Sequence, residues 1–492
     1  MMIFKAGLEV ELVAEKRMTY VAHEIAEGHQ LLLLEAISQK SSLSKIDELI
    51  EDGASVNGAT KNGVRPLHSA VDVKFADCVR LLLSKGADVN LADDNGFTPL
   101  LLSASNGCFK VMKMLIDNGA IVNYCGAEGT DVPKSIRDMG YLTYDPLNMA
   151  IENNHEQCVK LLLGNGAHAN KHYYMGYEIN LMPLNHLSCL ELLLKHGANP
   201  NSLSRYGTTP LMKACKENIT KAVCLLIKFG ANVNLGSGTS FNTKTPLNIA
   251  IEYSDFNIVN ILLENGANVS METGCTYSPL HTAVLAGRTE VCQLLLSSGA
   301  SIDGVSEDGV SPLMLAVNSP RLSNRLEIIQ LLLHFGASPN FCQNNSSYST
   351  ASISVIGEYF KNNQNKLDSN ILCLLLKYGG NINIRACLPC GKVDPFGILP
   401  YLSDSCSEEI LRLLPATAKC IDREAIKKSD NLTQDQRAYL MSLTVNPQPL
   451  IGVVRNSIID SFGRKLTDNN FVDDFEIPTI LKKYLILVHP EY

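Results

Sequence analysis

A glycine-led pair that closes a run of leucines returns along this chain at a near-constant interval, and it constrains the fold more than any other feature. Gly-Ala or Gly-Gly stands at Gly53, Gly86, Gly119, Gly166, Gly197, Gly230, Gly266, Gly299, Gly336 and Gly379, at spacings of 33, 33, 47, 31, 33, 36, 33, 37 and 43 residues. A Pro-Leu pair keeps the same phase at Pro66, Pro99, Pro146, Pro183, Pro210, Pro246, Pro279 and Pro312. It lies 20 residues ahead of the next marker glycine in six of the eight cases. Two independent landmarks in one phase identify an internal repeat. Units of this length cannot bury an apolar face alone, so they stack.

Asn95-Gly-Phe-Thr-Pro-Leu100 shows how one unit folds. Asn95-Gly96 signals a tight turn, because glycine accepts positive φ. Thr98 is a helix N-cap and Pro99 suits the first helical position. A second helix carries Val111, Met114, Leu115 and Ile116, and Gly119 ends it as the left-handed C′ residue. Each unit therefore reads turn, helix, turn, helix. The Leu-Leu-Leu runs are core, locking second helices together.

These units resemble ankyrin repeats. Gly207-Thr-Thr-Pro-Leu211 and Ser278-Pro-Leu-His281 look like that family's helix-opening motif, and Leu81-Leu-Leu-Ser-Lys-Gly-Ala-Asp-Val-Asn90 like its closing motif. Asn62-Gly-Val-Arg-Pro-Leu-His68 keeps the pattern with Arg65 in the threonine place. The resemblance covers residues 28–415 and implies an all-α solenoid of about ten units. Departures from the period predict local changes. The unit ending at Gly197 is six residues short, so its first helix or turn is trimmed. About fourteen extra residues precede Pro146. Phe341 to Leu367 lacks the Pro-Leu opener, and Pro395 to Leu414 is read as a capping repeat. Residues 1–27 are read as an N-terminal arm.

Lys and Arg number 42 against 50 Asp and Glu, a net charge of −8, and this balance argues against a nucleic-acid binder. The 46% apolar and 19% charged content fits a folded chain rather than a disordered one. No apolar run reaches a membrane span, and Glu9, Glu11 and Glu15 are unlike a signal peptide. Fifteen scattered cysteines, an odd number, read as buried thiols in a reducing compartment. A cytoplasmic location, extending to the nucleus, is expected.

Beyond residue 420 the glycine marker stops. Residues 416–446 are read as a helical connector. Asn446-Pro447 opens a helix with Leu450, Val454, Ile458 and Phe462 at steps of four, and Ile477-Pro478 opens another with Ile480, Leu481, Tyr484, Leu485 and Leu487 apolar. Such a helix pair is too small for a core of its own and must pack on something else. The tail 447–492 resembles a SOCS box. Pro449-Leu450 with Val454 and Ile458 looks like the elongin-binding box, with Val454 where the family usually has Cys. Phe475-Glu-Ile-Pro-Thr-Ile-Leu-Lys-Lys-Tyr-Leu485 looks like the cullin box, with Phe475-Glu476 in place of its first Leu-Pro. Repeats followed by this tail give the layout of the ankyrin repeat and SOCS box family. The resemblance implies a substrate-recognition subunit of an elongin–cullin–RING ubiquitin ligase. The repeats would hold a protein target. Leu450, Val454 and Ile458 would meet elongin C, bringing elongin B, and Ile477 and Pro478 would meet a cullin with its RING protein. The rival reading is an ankyrin scaffold whose tail only caps the last repeat.

No catalytic constellation, cofactor or metal site is expected. His68 and His281 follow Pro-Leu, and no nucleophile keeps register with them, so they are expected to bond between repeats. Cys387-Leu-Pro-Cys390 has no second ligand pair for zinc. Gly236-Ser-Gly238 has no preceding strand or third glycine and reads as a hairpin tip. Cys390-Gly-Lys-Val393 lacks the outer residues of a phosphate loop. Asn268-Val-Ser270 and Asn431-Leu-Thr433 are sequons in a chain read as intracellular. Target binding is expected on turn tips and first helices, with Phe97, Tyr206, Phe241, Tyr277 and Val310 as tip candidates.

Overall fold

The computed structural model describes residues 28–60, 63–123, 145–173, 175–237, 244–270, 276–342, 353–363, 367–388, 393–402, 410–411, 414 and 418–445. The N-terminal arm, Phe241, and the tail residues Leu450, Val454, Ile458, Ile477 and Pro478 lie outside these. The described residues fall into two compact units. One runs to Ala214 and includes Ile219–Asn232; the other comprises Cys215–Asn218 and the chain from Val233 onward.

In the first unit each regular repeat gives a short first helix and a longer second one: Pro66–Asp72 and Ala76–Ser84, Pro99–Ser105 and Phe109–Asp117, Pro146–Glu152 and Glu156–Gly164. The second unit repeats the scheme with Pro246–Tyr253 and Phe256–Glu264, Pro279–Leu285 and Thr289–Ser297, Pro312–Val317 and Arg325–His334. The starts follow from side-chain caps. Thr98, Asp145, Thr245, Ser278 and Ser311 each accept from the backbone N–H three residues on, and proline follows as the first helical residue. Arg65 does not cap its helix. It reaches instead to Ala92 O and Asn57 O, at 3.0 and 2.8 Å. The ends follow from glycine: all ten marker glycines have positive φ, from 82° to 107°.

First helices pack on first helices and second on second. In the first unit Pro66–Asp72 meets Pro99–Ser105, which meets Pro146–Glu152 across the 47-residue spacing. In the second unit Pro246–Tyr253, Pro279–Leu285 and Pro312–Val317 form the same ladder. The middle leucine of each second helix is fully buried, as at Leu82, Leu162, Leu226 and Leu295.

The short unit departs from the expected phase. Pro183-Leu184 follows its first helix instead of opening it. That helix is one turn, Glu178–Leu181, its start tied by the Tyr177 N–H donating to Asn180 Oδ1 at 3.2 Å. Two short strands, His172–Tyr173 and Gly176–Tyr177, pair antiparallel directly ahead of it. Past Gly336 no Pro-Leu is needed: Ser354 caps Val355–Asn362. The segment read as a helical connector begins with a strand, Ala418–Ile421, paired in parallel with Ile382–Ile384. β-Branched isoleucines at Ile382, Ile384 and Ile421 suit that pairing. Helices Arg423–Lys428 and Gln434–Val445 follow.

Candidate protein-binding surface

The histidines behave as inter-repeat bonds. His68 Nε2 donates to Phe97 O, and His281 Nε2 to Val310 O, both at 2.8 Å. His281 Nδ1 also sits 2.6 Å from Ser278 Oγ, the cap of its own helix. Burial lowers the pKa of both rings, partly opposed by those carbonyl bonds, so both stay neutral. Asn248, at the same position after its proline, donates to Tyr277 O at 3.2 Å.

Three expected binding residues are therefore joint residues through their backbones. Phe97 is half-buried, and its N–H donates to Asp93 Oδ1 at 2.8 Å. Val310 is half-buried, with its N–H 3.1 Å from Ser306 Oγ. Tyr277 is half-buried, its ring 6.0 Å from that of His281.

A second set of joint residues was missed at the sequence level. The asparagine four residues after a marker glycine reads two backbone groups of the next repeat. Asn90 Nδ2 donates to Gly119 O at 3.1 Å, and Asn90 Oδ1 accepts from Ile121 N at 2.8 Å. Asn57, Asn123, Asn170, Asn201, Asn234 and Asn340 each make the same pair of bonds. The signal was available, since these asparagines share the glycines' phase. Ser270 and Asp303 stand at this position in two successive repeats. Asp303 keeps only the accepting half, from Ser338 N at 3.0 Å.

Tyr206 is different. Its side chain is 66% exposed, at the apex of a hairpin tied by a 2.7 Å bond between Ser204 Oγ and Thr208 Oγ1. Leu203 beside it is also exposed. This tip touches the 172–177 hairpin: Arg205 N donates to Met175 O at 3.0 Å, and a Cβ on Gly176 would lie 3.0 Å from Ser204 Cα. His172 and Tyr177 stack edge-to-face at 4.8 Å on that hairpin. Aromatic and arginine side chains at such a tip have the composition of interface hot spots.

Below the hairpin lies a buried polar cluster that sequence reasoning did not identify. Tyr173 Oη donates to Asp145 Oδ2 at 2.8 Å, and Lys171 Nζ pairs with the same oxygen at 2.9 Å. Asn148 Nδ2 lies 3.3 Å from Glu178 Oε1. Glu178 has no exposed surface, and burial with the nearby Asp145 charge pushes its carboxyl up to about 7.

The fully buried cysteines of the repeats support no thiol chemistry, whereas Cys224 is exposed. Burial pushes Cys78, Cys215 and Cys292 up to about 12, and Cys158 and Cys189 to about 11. Cys390 lies outside the described residues, and among the described residues no group of three or more His, Cys, Asp or Glu could hold a metal. Ser237 N donates to Lys244 O at 3.0 Å, and Gly238 lies outside the described residues. No described helix is long and apolar enough to cross a membrane.

Comparison with known proteins returns to the period. The family model for ankyrin repeats (3 copies) matches residues 33–125, 92–173, 181–273 and 269–342, more than half of the chain. The putative ankyrin repeat protein FPV031 of fowlpox virus (strain NVSL) is 26% identical over 282 residues, 56% of this chain and 78% of that protein. The human neurogenic locus notch homolog protein 4 is 46% identical over 74 residues, 15% of this chain and only 4% of that protein. Of these curated relatives, the chain spans most of the viral protein and a small part of the human one. Among solved structures, the ankyrin repeat domain of Bcl-3 matches at a TM-score of 0.38 and 25% identity, over 47% of this chain and 96% of that one. An overlap that partial carries no argument.

Proposed function

The chain belongs to the ankyrin repeat family, and from that premise we propose that it is a non-catalytic recognition subunit: its repeats hold a protein target, and its tail recruits elongins B and C and a cullin with its RING protein. The observation that carries the ligase half is the order of motifs behind the repeats, Pro449-Leu450 with Val454 and Ile458, then Ile477-Pro478. The role is proximity, holding a target lysine near a charged ubiquitin carrier and so raising its effective concentration. The target half is supported by Tyr206, an exposed aromatic on a hydrogen-bonded turn tip. The second reading, a scaffold without ligase partners, keeps the repeats and loses the tail's role.

Affinity purification of the full chain with the proteasome blocked, read by mass spectrometry, separates the two. Elongins should dominate the bound proteins. Leu450→Asp should abolish elongin capture, because it would bury an unpaired charge, and should leave the repeats folded. Ile477→Ala with Pro478→Ala should lose the cullin and keep the elongins. A Leu450→Asp chain that retains elongins sinks the ligase reading.

A further inference from the structure

We propose that the joint between helix Pro146–Glu152 and helix Glu178–Leu181 is a proton-operated clamp, shut while Glu178 is a carboxylic acid and loosened as it ionises, so that the 172–177 hairpin under the Tyr206 tip is released as pH rises. This holds whichever partner the repeats bind.

Among the described residues the cation paired at the two buried carboxylates is Lys171, on Asp145, while Lys213 Nζ donates to Asn180 O, Leu181 O and Met182 O at the end of the Glu178 helix. Asp145 is 4% exposed and Glu178 0%. Lys171 pairs with Asp145, which also accepts from Tyr173. Glu178 meets Asn148 Nδ2 at 3.3 and 3.5 Å, and its backbone N–H donates to Lys171 O at 3.3 Å. The titratable groups acting on it are Asp145 and Glu152 from the helix side and Tyr173 from the hairpin. The carboxylates repel its charged form, while Tyr173 and Asn148 partly favour it by hydrogen bonding. An ionised Glu178 would be a second negative charge in a closed space, and a carboxyl so placed keeps its proton instead. In the regular repeats the corresponding side chain bonds to a backbone carbonyl, which does not titrate: His68 to Phe97 O, Asn248 to Tyr277 O, His281 to Val310 O.

The sign follows. A carboxyl raised from 4.5 to about 7 in the closed joint stabilises it fully below the ordinary value, and that stability is lost progressively as pH rises from there through 7. With an ordinary carboxylate value once opened, the joint's opening equilibrium should rise about tenfold between pH 6 and pH 8.

Hydrogen exchange of the full chain, corrected for the intrinsic pH dependence, tests this. Amides of residues 171–181 should open about tenfold more readily at pH 8 than at pH 6. Those of Pro279–Ser297, the internal reference, should show no such base-side rise. Glu178→Gln keeps the shape without the charge and should be protected equally at both. Parent protection independent of pH, or the same dependence in Glu178→Gln, overturns the clamp. A direct reading needs no variant: with 13C-carboxyl-labelled glutamate, one resonance should titrate around neutrality. If every glutamate titrates as an ordinary carboxylate, the clamp is wrong.

Discussion

At helix Pro279–Leu285 the side chain two residues past the opening proline is His281, which donates to Val310 O; at Pro146–Glu152 it is Asn148, which faces the carboxylate of Glu178. One position in the repeat thus meets two kinds of acceptor. The regular joint ends on a backbone group whose charge cannot change. The trimmed joint ends on a side chain that gains or loses a proton near neutrality. In the trimmed unit the 172–177 hairpin leads straight into the one-turn helix Glu178–Leu181, and Asn148 meets the Glu178 side chain rather than a hairpin carbonyl. Solenoid stability is approximately a sum of unit and interface terms, so the two joints can be perturbed separately.

The largest effect should be common to both. Leu295 in the regular unit, Leu193 in the trimmed one and Leu226 in the next are each fully buried. Alanine at any of them should cost about 2–5 kcal/mol in denaturant unfolding. If Leu193→Ala costs much less than Leu295→Ala, the trimmed unit is loosely packed, and the contrast between joints lies in packing rather than in polar chemistry.

The polar bond comes next. His281→Leu strands Val310 O and Ser278 Oγ and should cost about 1–3 kcal/mol, the penalty for unpaired buried groups. His281→Asn should recover most of that, since Asn248 makes the same bond in the preceding repeat. Equal losses in the two variants would mean that ring packing, not the hydrogen bond, holds the joint.

The regular joint should also fail in acid, the opposite limb from the clamp. Burial lowers the pKa of His281, so its contribution is present above the ordinary histidine value and is lost as pH falls below it. In unfolding measured between pH 7 and pH 5, each such histidine should take up to about 1.4 kcal/mol per pH unit from the parent's stability, against the opposite contribution of Glu178 protonating in the same window. His281→Asn should remove one histidine's share, and an unchanged slope would assign the acid limb to other groups.

How far this contrast was legible in the sequence differs between the joints. The period, the caps at Thr98 and Ser278, the left-handed glycines and the bonding role of His68 and His281 all follow from local rules, because each residue's task lies within one repeat or at a fixed step to the next. Pro183-Leu184 misled because the motif survived while six residues around it did not; with no room for two turns before Leu187, the helix formed upstream at Glu178 instead. Glu178 itself gave no signal, since a glutamate next to a tyrosine-rich stretch reads as solvated surface, and only the fold brings Asp145 beside it, 33 positions away. Phe97, Tyr277 and Val310, expected as exposed tips, are half-buried, and their carbonyls are taken by the neighbouring repeat. Tyr206 is the tip candidate left broadly exposed among the described residues.

The smallest effect concerns the asparagine ladder, which crosses both the regular and the trimmed repeats. Asn170, leading into the trimmed unit, and Asn90, between regular ones, make the same two bonds, so this tie is indifferent to what lies under it. Asp303 is where it is halved. A carboxylate accepts from Ser338 N but has no donor for Gly336 O, and it sets negative charge against a carbonyl. Asp303→Asn should supply the donor and add about 0.5–1.5 kcal/mol, the net worth of one hydrogen bond. Asn340→Asp, which removes a 2.8 Å bond to Gly379 O, should lose a similar amount. Urea unfolding of both variants beside the parent measures the pair. Opposite shifts of similar size would mean that the donating half of each asparagine contributes to every joint it spans. A loss at Asn340→Asp without a gain at Asp303→Asn would mean that the repeat around Asp303 has already relaxed to do without that bond.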